Sequence, residues 1–141
     1  MAWQVRAFTM DDADPVVDLW RRAGLTRPWN DPYRDVERKL SVQPELFLVA
    51  EDDGVVVGTV MAGYDGHRGW LYYLATAPSR RGEGIARALV MEAERLLVER
   101  GCPKVQLMVR TGNEDVLGFY DALGYERFDV ANTGKRLIAD A

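Results

Sequence analysis

Hydrophobic and polar positions along the first part of the chain predict one strand followed by two helices. Residues 3–8 alternate between apolar and polar side chains, which is typical of a strand. An acidic stretch then leads into residues 16–20, whose apolar positions have helical spacing. The segment GLTRPWNDP (24–32) interrupts this helix because it contains glycine and two prolines, and residues 35–40 predict a second, short helix.

Two runs of apolar and β-branched residues, 46–51 and 55–64, predict a pair of strands. The sequence DDG (52–54) between them favours a tight hairpin, because Asp and Gly tolerate the positive φ angles of such turns. A second turn, DGHRG (65–69), leads into a further strand at 70–76. Together these strands predict an antiparallel meander.

The second half of the chain predicts helices and strands in alternation. Apolar residues recur at helical spacing over 84–100, which predicts the longest helix. A strand at 104–110, a helix at 114–123 and two strands at 125–130 and 135–139 follow. The longest helix joins two neighbouring strands, so we predict one parallel, right-handed crossover. The expected fold is α+β with three layers, in which helices cover both faces of a mixed, mostly antiparallel sheet of six or seven strands.

Composition and charge are those of an ordinary globular protein, and we expect residues 1–141 to form a single domain. The net charge of −4, with both signs interspersed, indicates no nucleic-acid partner. No apolar stretch approaches the roughly 18 residues that cross a bilayer, so we expect neither secretion nor membrane binding. Cys102 and His67 are the only residues of their kinds, which argues against a disulfide framework or a metal centre and favours the cytoplasm.

The segment APSRRGEGIA (77–86) between the last meander strand and the longest helix is the best candidate for chemistry. Gly82 and Gly84 have no side chains, so their N–H groups can approach an anion, and the beginning of the helix adds unpaired N–H groups. Arg80 and Arg81 add positive charge, and this combination suits a pyrophosphate. The alternative is a tight turn with surface arginines. The spacing matches neither the P-loop nor the dinucleotide-binding fingerprint.

Two spacings resemble the signatures of the GCN5-related N-acetyltransferase (GNAT) family. Arg81, Gly84 and Ala86 match the positions of its acetyl-CoA motif. Asn113 and Tyr120, seven residues apart and followed by Leu-Gly-Tyr, resemble its second signature. The predicted order of elements is similar to the family fold over nearly the whole chain. More narrowly, three segments resemble the bacterial YpeA-type acetyltransferases, namely RPWNDP, GYDGHRG and RGCPK.

The resemblance implies an N-acetyltransferase that uses acetyl-CoA as co-substrate. In such proteins, strand backbone groups hold the pantetheine arm as an additional strand, and the resemblance implies that Asn113 contacts the cofactor. The residues implied for the pyrophosphate are Arg81, Gly82, Gly84, Ile85 and Ala86, and those implied for the pantetheine arm are Leu74, Ala75 and Thr76. Arg80 is a further candidate for binding the pyrophosphate, because it is positively charged and lies in the same loop.

Acetyl transfer from a thioester to an amine requires a proton for the departing thiolate but no covalent intermediate. Tyr120 is our candidate for the general acid, because a phenol with a pKa near ~10 can protonate a thiolate whose conjugate acid has a pKa of about 8.5. The alternative is that Tyr120 fills core space beside Phe119. Cys102 lies at the N-terminal end of a predicted strand. Active sites of parallel βαβ units lie at the C-terminal ends of the strands, so we do not expect Cys102 to be a nucleophile.

The general base stays open among four residues and water. The candidate side chains are Asp65, His67, Glu51 and Tyr72. The alternative for Asp65 and His67 is that they are turn residues without a catalytic role, and the alternative for Glu51 is that it only flanks the first hairpin.

We expect the acceptor amine to bind near segment 24–32 and the loop at 63–69. Trp29 offers an apolar wall and Asp31 a carboxylate for an ammonium group, and the alternative is that Asn30 and Asp31 cap the second helix. The candidate acceptor residues are Trp29, Asn30, Asp31, Asp65, His67 and Tyr72.

The expected partner is a small-molecule or peptide amine whose identity the sequence does not define. Two other functions compete with the enzyme: a non-catalytic acyl-CoA-binding regulatory domain, and an interaction module in which the glycines only form a turn. The predicted strands from Tyr125 onward could also pair across a homodimer.

Overall fold

A five-stranded sheet organises residues 2–140, the part of the chain that the computed structural model describes. The strands lie side by side in chain order, and neighbours among the first four are antiparallel. The fifth strand is parallel to the fourth, with a helix as the crossover. The strands are β1 (Trp3–Ala7), β2 (Phe47–Asp52), β3 (Val55–Tyr64), β4 (Gly69–Thr76) and β5 (Val105–Gln106).

Four α-helices are present within residues 2–140, together with short 3-10 turns. The α-helices are α1 (Ala13–Arg22), α2 (Pro32–Leu40), α3 (Ile85–Glu99) and α4 (Glu114–Ala122). The carboxylate of Asp31 caps α2 by accepting a hydrogen bond of 3.0 Å from the backbone N–H of Tyr33. Gly101 lies just beyond α3 with φ +79°, a left-handed conformation that glycine adopts without strain. No helix among these residues is long and apolar enough to span a bilayer.

The core lies on both faces of β3, whose residues 56–62 are buried without alternation. The side chain of Thr59 bonds to Trp20 of α1. A Cβ atom on the neighbouring Gly58 would lie 2.6 Å from the Ile85 side chain of α3. Since adjacent strand residues face opposite sides, α1 and α3 cover opposite faces of the sheet. This confirms the predicted layers and explains why α3 needs a glycine at position 58.

The predicted order of elements is confirmed as far as α4, with two shifts in extent. Helix α2 begins at Pro32 rather than at residue 35, and β5 contains only Val105–Gln106 rather than residues 104–110. The strands predicted at 125–130 and 135–139 are wrong, because neither range forms a strand in the structure. The sheet therefore has five strands instead of six or seven.

The alternating apolar residues of the last segment do not share a covered face. The side chains of Val130 and Leu137 are 80% and 86% exposed. Polar contacts hold the end of this segment instead. The carboxylate of Asp140 accepts a hydrogen bond of 2.8 Å from the backbone N–H of Asp31 and pairs with Arg38 at 2.6 Å. The segment is therefore attached to α2 and the residue before it by a hydrogen bond and an ion pair, and not to the sheet by strand pairing.

Candidate active site

A cleft opens where β4 and β5 separate. The two strands pair only at Gly69–Val105 and Trp70–Gln106, and beyond these pairs a cavity of about 990 Å³ lies between β4 and the segment after β5. Every residue predicted to bind the cofactor lines this cavity, as do Tyr72 and Tyr120. The cofactor residues in question are Leu74, Ala75, Thr76, Arg80, Arg81, Gly82, Gly84, Ile85, Ala86 and Asn113.

The glycine loop at one end of the cleft has free space and free donors. Gly82 and Gly84 have φ values of +85° and +84°, and a Cβ atom on either would meet nothing within 4 Å. Among the described residues, no acceptor bonds to the N–H groups of Gly82, Gly84, Ile85 or Ala86. Gly84 also precedes the first residue of α3, where the helix dipole is positive. The loop can therefore bind an anion through several backbone donors.

The two arginines of this loop have different surroundings. The guanidinium of Arg80 pairs with Asp52 at 2.8 Å and with Glu83 at 2.7 Å. These carboxylates offset its charge and tie the loop to the hairpin between β2 and β3. Arg81 forms no ion pair within the part of the chain that the structure describes. Its charge is therefore the more available of the two to an anionic ligand.

The edge of β4 that faces the cleft has backbone groups without a ladder partner. On its other side, Ala75 pairs with Thr59 and Thr76 with Gly58 of β3. The ladder toward β5 ends at Trp70, five residues before Ala75. This arrangement leaves an exposed strand edge, to which an extended ligand with amide groups can bind as a further strand.

A β-bulge interrupts β4 just before this edge. Tyr73 and Leu74 together lie opposite the single residue Val60, and Tyr73 has φ +53°. The Thr59 hydroxyl donates a hydrogen bond of 2.8 Å to the carbonyl oxygen of Tyr73. The Tyr73 ring stacks on Trp20 with a centroid distance of 3.7 Å. The local sequence does not predict this bulge, because the strand has no glycine there and nothing nearby indicates a left-handed tyrosine.

Tyr120 lies on α4, its ring packs in the core, and the residue lines the cleft. The residue is 6% exposed and its ring contacts those of Phe119 and Tyr125. Within residues 2–140, the Tyr120 hydroxyl has no hydrogen-bond partner, whereas every fully buried side-chain oxygen or nitrogen has one. The Tyr120 oxygen is thus not fully buried. The Tyr120 oxygen is therefore reachable by solvent or ligand. Burial raises the pKa of Tyr120 above its ordinary value, so the phenol stays protonated at neutral pH.

Most of the predicted acceptor residues lie outside the cleft. Trp29 is 63% exposed and, like Asn30 and Asp31, does not line the cavity. The Asp31 carboxylate caps α2, which is the alternative to acceptor binding that the sequence left open. Asn30 donates a hydrogen bond of 2.6 Å to Asp35 and one of 3.2 Å to the Tyr73 hydroxyl.

The four candidate bases lie in different parts of the structure. Asp65 accepts hydrogen bonds of 2.8 Å from the N–H groups of His67 and Arg68, which lower the pKa of Asp65 and favour its role as a turn residue. Glu51 pairs with Arg6 and accepts from Gly54 in the hairpin. Of the four candidate bases, only Tyr72 lines the cleft, and burial raises its pKa. Cys102 also lies outside the cleft, and the described residues contain no cluster of metal ligands.

Comparisons with known proteins show the family of this chain. A family model described as the Acetyltransferase (GNAT) family matches residues 13–125. Named acetyltransferases of Pectobacterium atrosepticum and Yersinia pestis are 55% and 53% identical over 137 residues, which is 97% of each chain. The aminoglycoside N-acetyltransferase AAC(6')-Iy, solved with a bisubstrate analog, has the same fold, with a TM-score of 0.80, 21% identity and coverage of 97% of this chain and 100% of its own. The predicted family is thus confirmed: this chain belongs to the GNAT acetyltransferases.

Proposed function

We propose that this protein transfers the acetyl group of acetyl-CoA directly to a primary amine, and that residues 1–141 form one such domain in the cytoplasm. One observation carries the proposal. A single cleft contains a glycine loop with free N–H donors, an unpaired strand edge and the reachable hydroxyl of Tyr120. These features suit the pyrophosphate, the pantetheine amides and the thioester of one extended substrate.

The glycine loop is the part of the cleft best suited to the pyrophosphate. Its donors are the N–H groups of Gly82, Gly84, Ile85 and Ala86, and a Cβ atom on Gly82 or Gly84 would meet nothing within 4 Å. Arg81 supplies the cation, whereas Arg80 holds the loop through Asp52 and Glu83. Asn113 precedes α4 and lines the same cleft, where it can bond to the remainder of the cofactor.

The strand edge of Leu74, Ala75 and Thr76 lines the same cleft as this loop and Tyr120. The amine attacks the acetyl carbon, a C–N bond forms, and the C–S bond breaks. Tyr120 donates its proton to the departing sulfur. Because its pKa is raised, Tyr120 is a weaker acid than the thiol of coenzyme A. Proton transfer to the finished thiolate is therefore unfavourable, and we propose that the proton moves as the C–S bond breaks.

The proton of the amine leaves by another route. Tyr72 is a neutral phenol at neutral pH, since the ordinary pKa of tyrosine is about 10 and partial desolvation raises the pKa of Tyr72, and so it does not act as a phenolate base. Asp65, His67 and Glu51 do not line the cleft. None of the four candidate side chains is therefore suited to accept the proton of the amine directly, and water is the candidate that is left.

A regulatory domain that binds acyl-CoA without turnover is the competing function. It would require the cofactor cleft but no proton donor beside the thioester. The reachable Tyr120 hydroxyl and the acetyltransferase names of the relatives favour the enzyme.

Calorimetry tests the cofactor site with a matched pair of variants. Gly84 and Gly101 flank the two ends of α3, have φ of +84° and +79°, and have nothing within 4 Å of an added Cβ. Gly84→Val and Gly101→Val therefore carry similar backbone strain, but only Gly84 lines the cleft. We expect the wild type and Gly101→Val to bind acetyl-CoA and coenzyme A but not ATP. We expect Gly84→Val to lose at least about tenfold in affinity, and equal affinity would contradict the site.

Thiol release from acetyl-CoA then separates an enzyme from a sensor. The acceptors tested are spermidine, an aminoglycoside, a lysine-containing peptide and a peptide with a free amino terminus, and mass spectrometry identifies the acetylated product. An acetyltransferase releases thiol and acetylates an amine. A protein that binds acetyl-CoA but releases no thiol with any acceptor or with water would be a sensor.

A further inference from the structure

The hydroxyl of Tyr73 lies in a clamp formed by the beginning of α2. It donates a hydrogen bond of 2.7 Å to Oδ2 of Asp35. The side-chain amide of Asn30 donates to the same carboxylate oxygen at 2.6 Å and to the Tyr73 oxygen at 3.2 Å. The other oxygen of Asp35 accepts from Arg38 at 3.3 Å. Asn30, Asp35 and Tyr73 are partly buried, and the bond from Tyr73 to Asp35 joins residues that are 38 positions apart in the chain.

The residue held in this way is the strained member of the β4 bulge. A left-handed backbone is uncommon for an aromatic residue and persists only where the surroundings hold it. At Tyr73, three contacts do so: the stack on Trp20, the hydrogen bond from Thr59 to its carbonyl, and the clamp on its hydroxyl. The first two come from the helix and the strand beneath it. Only the clamp comes from the α2 side.

The bulge decides which backbone groups face the cleft. Tyr73 immediately precedes Leu74, Ala75 and Thr76, the edge proposed to hold the pantetheine arm. If Tyr73 returned to an extended conformation, the strand register would shift by one residue and the edge would exchange its inward and outward groups. The position of the thioester relative to Tyr120 depends on this edge. The left-handed conformation of Tyr73 is therefore a requirement of the proposed reaction.

We propose that Tyr73 and Asp35 are positioning residues for acetyl transfer, because their hydrogen bond holds the β4 bulge in the form that aligns the thioester. The proposal rests on the proposed acetyltransferase function. Neither side chain is required to touch the reacting atoms. The clamp also includes Asn30, a residue expected to bind the acceptor, which instead bonds to Asp35 and Tyr73.

The variant Tyr73→Phe tests this role with little disturbance of packing. It keeps the ring that stacks on Trp20 and removes only the hydroxyl. We expect kcat for thiol release to fall about tenfold, because a small misplacement of reacting groups is costly. The KM for acetyl-CoA should change less than kcat, since the glycine loop is unchanged, and the melting temperature should stay near that of the wild type, since the ring still stacks on Trp20.

A second tyrosine–aspartate pair provides the control. The Tyr33 hydroxyl donates to Oδ1 of Asp14 at 2.6 Å, but this pair is exposed and does not line the cleft. Tyr33→Phe removes the same kind of hydrogen bond from the same layer of helices. It should leave kcat unchanged. An equal fall in kcat for both variants would overturn the positioning role.

The variant Asp35→Asn tests the other half of the clamp. We expect it to lower kcat by a similar factor, and the double variant with Tyr73→Phe should be no slower than the slower single variant. Independent, additive losses would overturn a shared action through one hydrogen bond. An active wild type whose Tyr73→Phe variant keeps full kcat would overturn this proposal alone. A wild type that releases no thiol with the four acceptors or with water would overturn the acetyltransferase function and this proposal with it.

Discussion

The indole N–H of Trp20 donates a hydrogen bond of 2.9 Å to the hydroxyl of Thr59, and both side chains are completely buried. The same hydroxyl donates onward to the carbonyl of Tyr73 at 2.8 Å. This relay joins α1, β3 and β4 through three residues that are distant in sequence. It satisfies a donor that the core would otherwise leave unpaired, and it holds the bulge at the edge of the cleft.

Thr59→Val should destabilise the protein, because it removes the hydroxyl and leaves the buried Trp20 N–H without an acceptor. We expect the free energy of unfolding to fall by about 1–3 kcal/mol. Urea denaturation measures this change. Thr59→Ser keeps the hydroxyl and should lose less, so a serine variant as unstable as the valine variant would contradict the role of the hydrogen bond.

Tyr120→Phe should lower kcat by about 10²–10⁴-fold, because it removes the proposed proton donor and leaves the aromatic packing intact. The affinity for acetyl-CoA should change little. The control is Tyr125→Phe, which removes a neighbouring hydroxyl that bonds to Glu94 at 2.7 Å. Steady-state kinetics of thiol release measures both variants. Wild-type turnover in Tyr120→Phe would exclude Tyr120 as the general acid.

The pH dependence of kcat should show no loss of a general acid in the range where an ordinary tyrosine ionises. The pKa of Tyr120 is raised by burial, so the proton-donating form persists above a pH of about 10, the ordinary pKa of tyrosine. We expect kcat at saturating substrates to stay level or rise up to that pH. A decline with a midpoint below about 10, absent in Tyr120→Phe, would show that the phenol titrates normally.

Stability should decrease in acid through Asp12. This carboxylate is 6% exposed and accepts hydrogen bonds of 2.8 and 2.9 Å from Arg6. The Arg6 guanidinium lowers the pKa of Asp12 below its ordinary value. Because the folded pKa is depressed, the stabilisation is complete above a pH of about 4 and is lost as the pH falls through the folded pKa.

The variant Asp12→Asn should therefore be less stable than the wild type at pH 7 by about 1–3 kcal/mol. The difference should shrink as the pH falls below about 4. Thermal unfolding at several pH values measures it. Asp18→Asn is the control, because its pair with Arg22 at 3.0 Å is exposed and should contribute little. A difference at pH 7 that persists unchanged in acid would contradict the ion pair as its cause.

Much of the fold could be predicted because its signals are local. Periodicity identified the strands up to β4 and the helices α1, α3 and α4, and the turn sequences between them indicated an antiparallel meander. The two strands expected after Tyr125 were wrong, since alternation alone does not show whether a partner strand or a covered face exists. The last segment instead docks through Asp140, whose partner Asp31 is 109 residues away.

Local residue patterns indicated the order of elements as far as α4, the glycine loop before α3 and the spacing of Asn113 and Tyr120, because each depends on residues close together in the chain. The pairing of Arg80 with Asp52 and the hydrogen bond from Tyr73 to Asp35 became visible only in the folded chain. These contacts join separate elements, and the left-handed conformation of Tyr73 is stable only when Trp20, Thr59 and Asp35 surround it. Such a conformation opposes the local preference of its residue, so no local pattern can predict it.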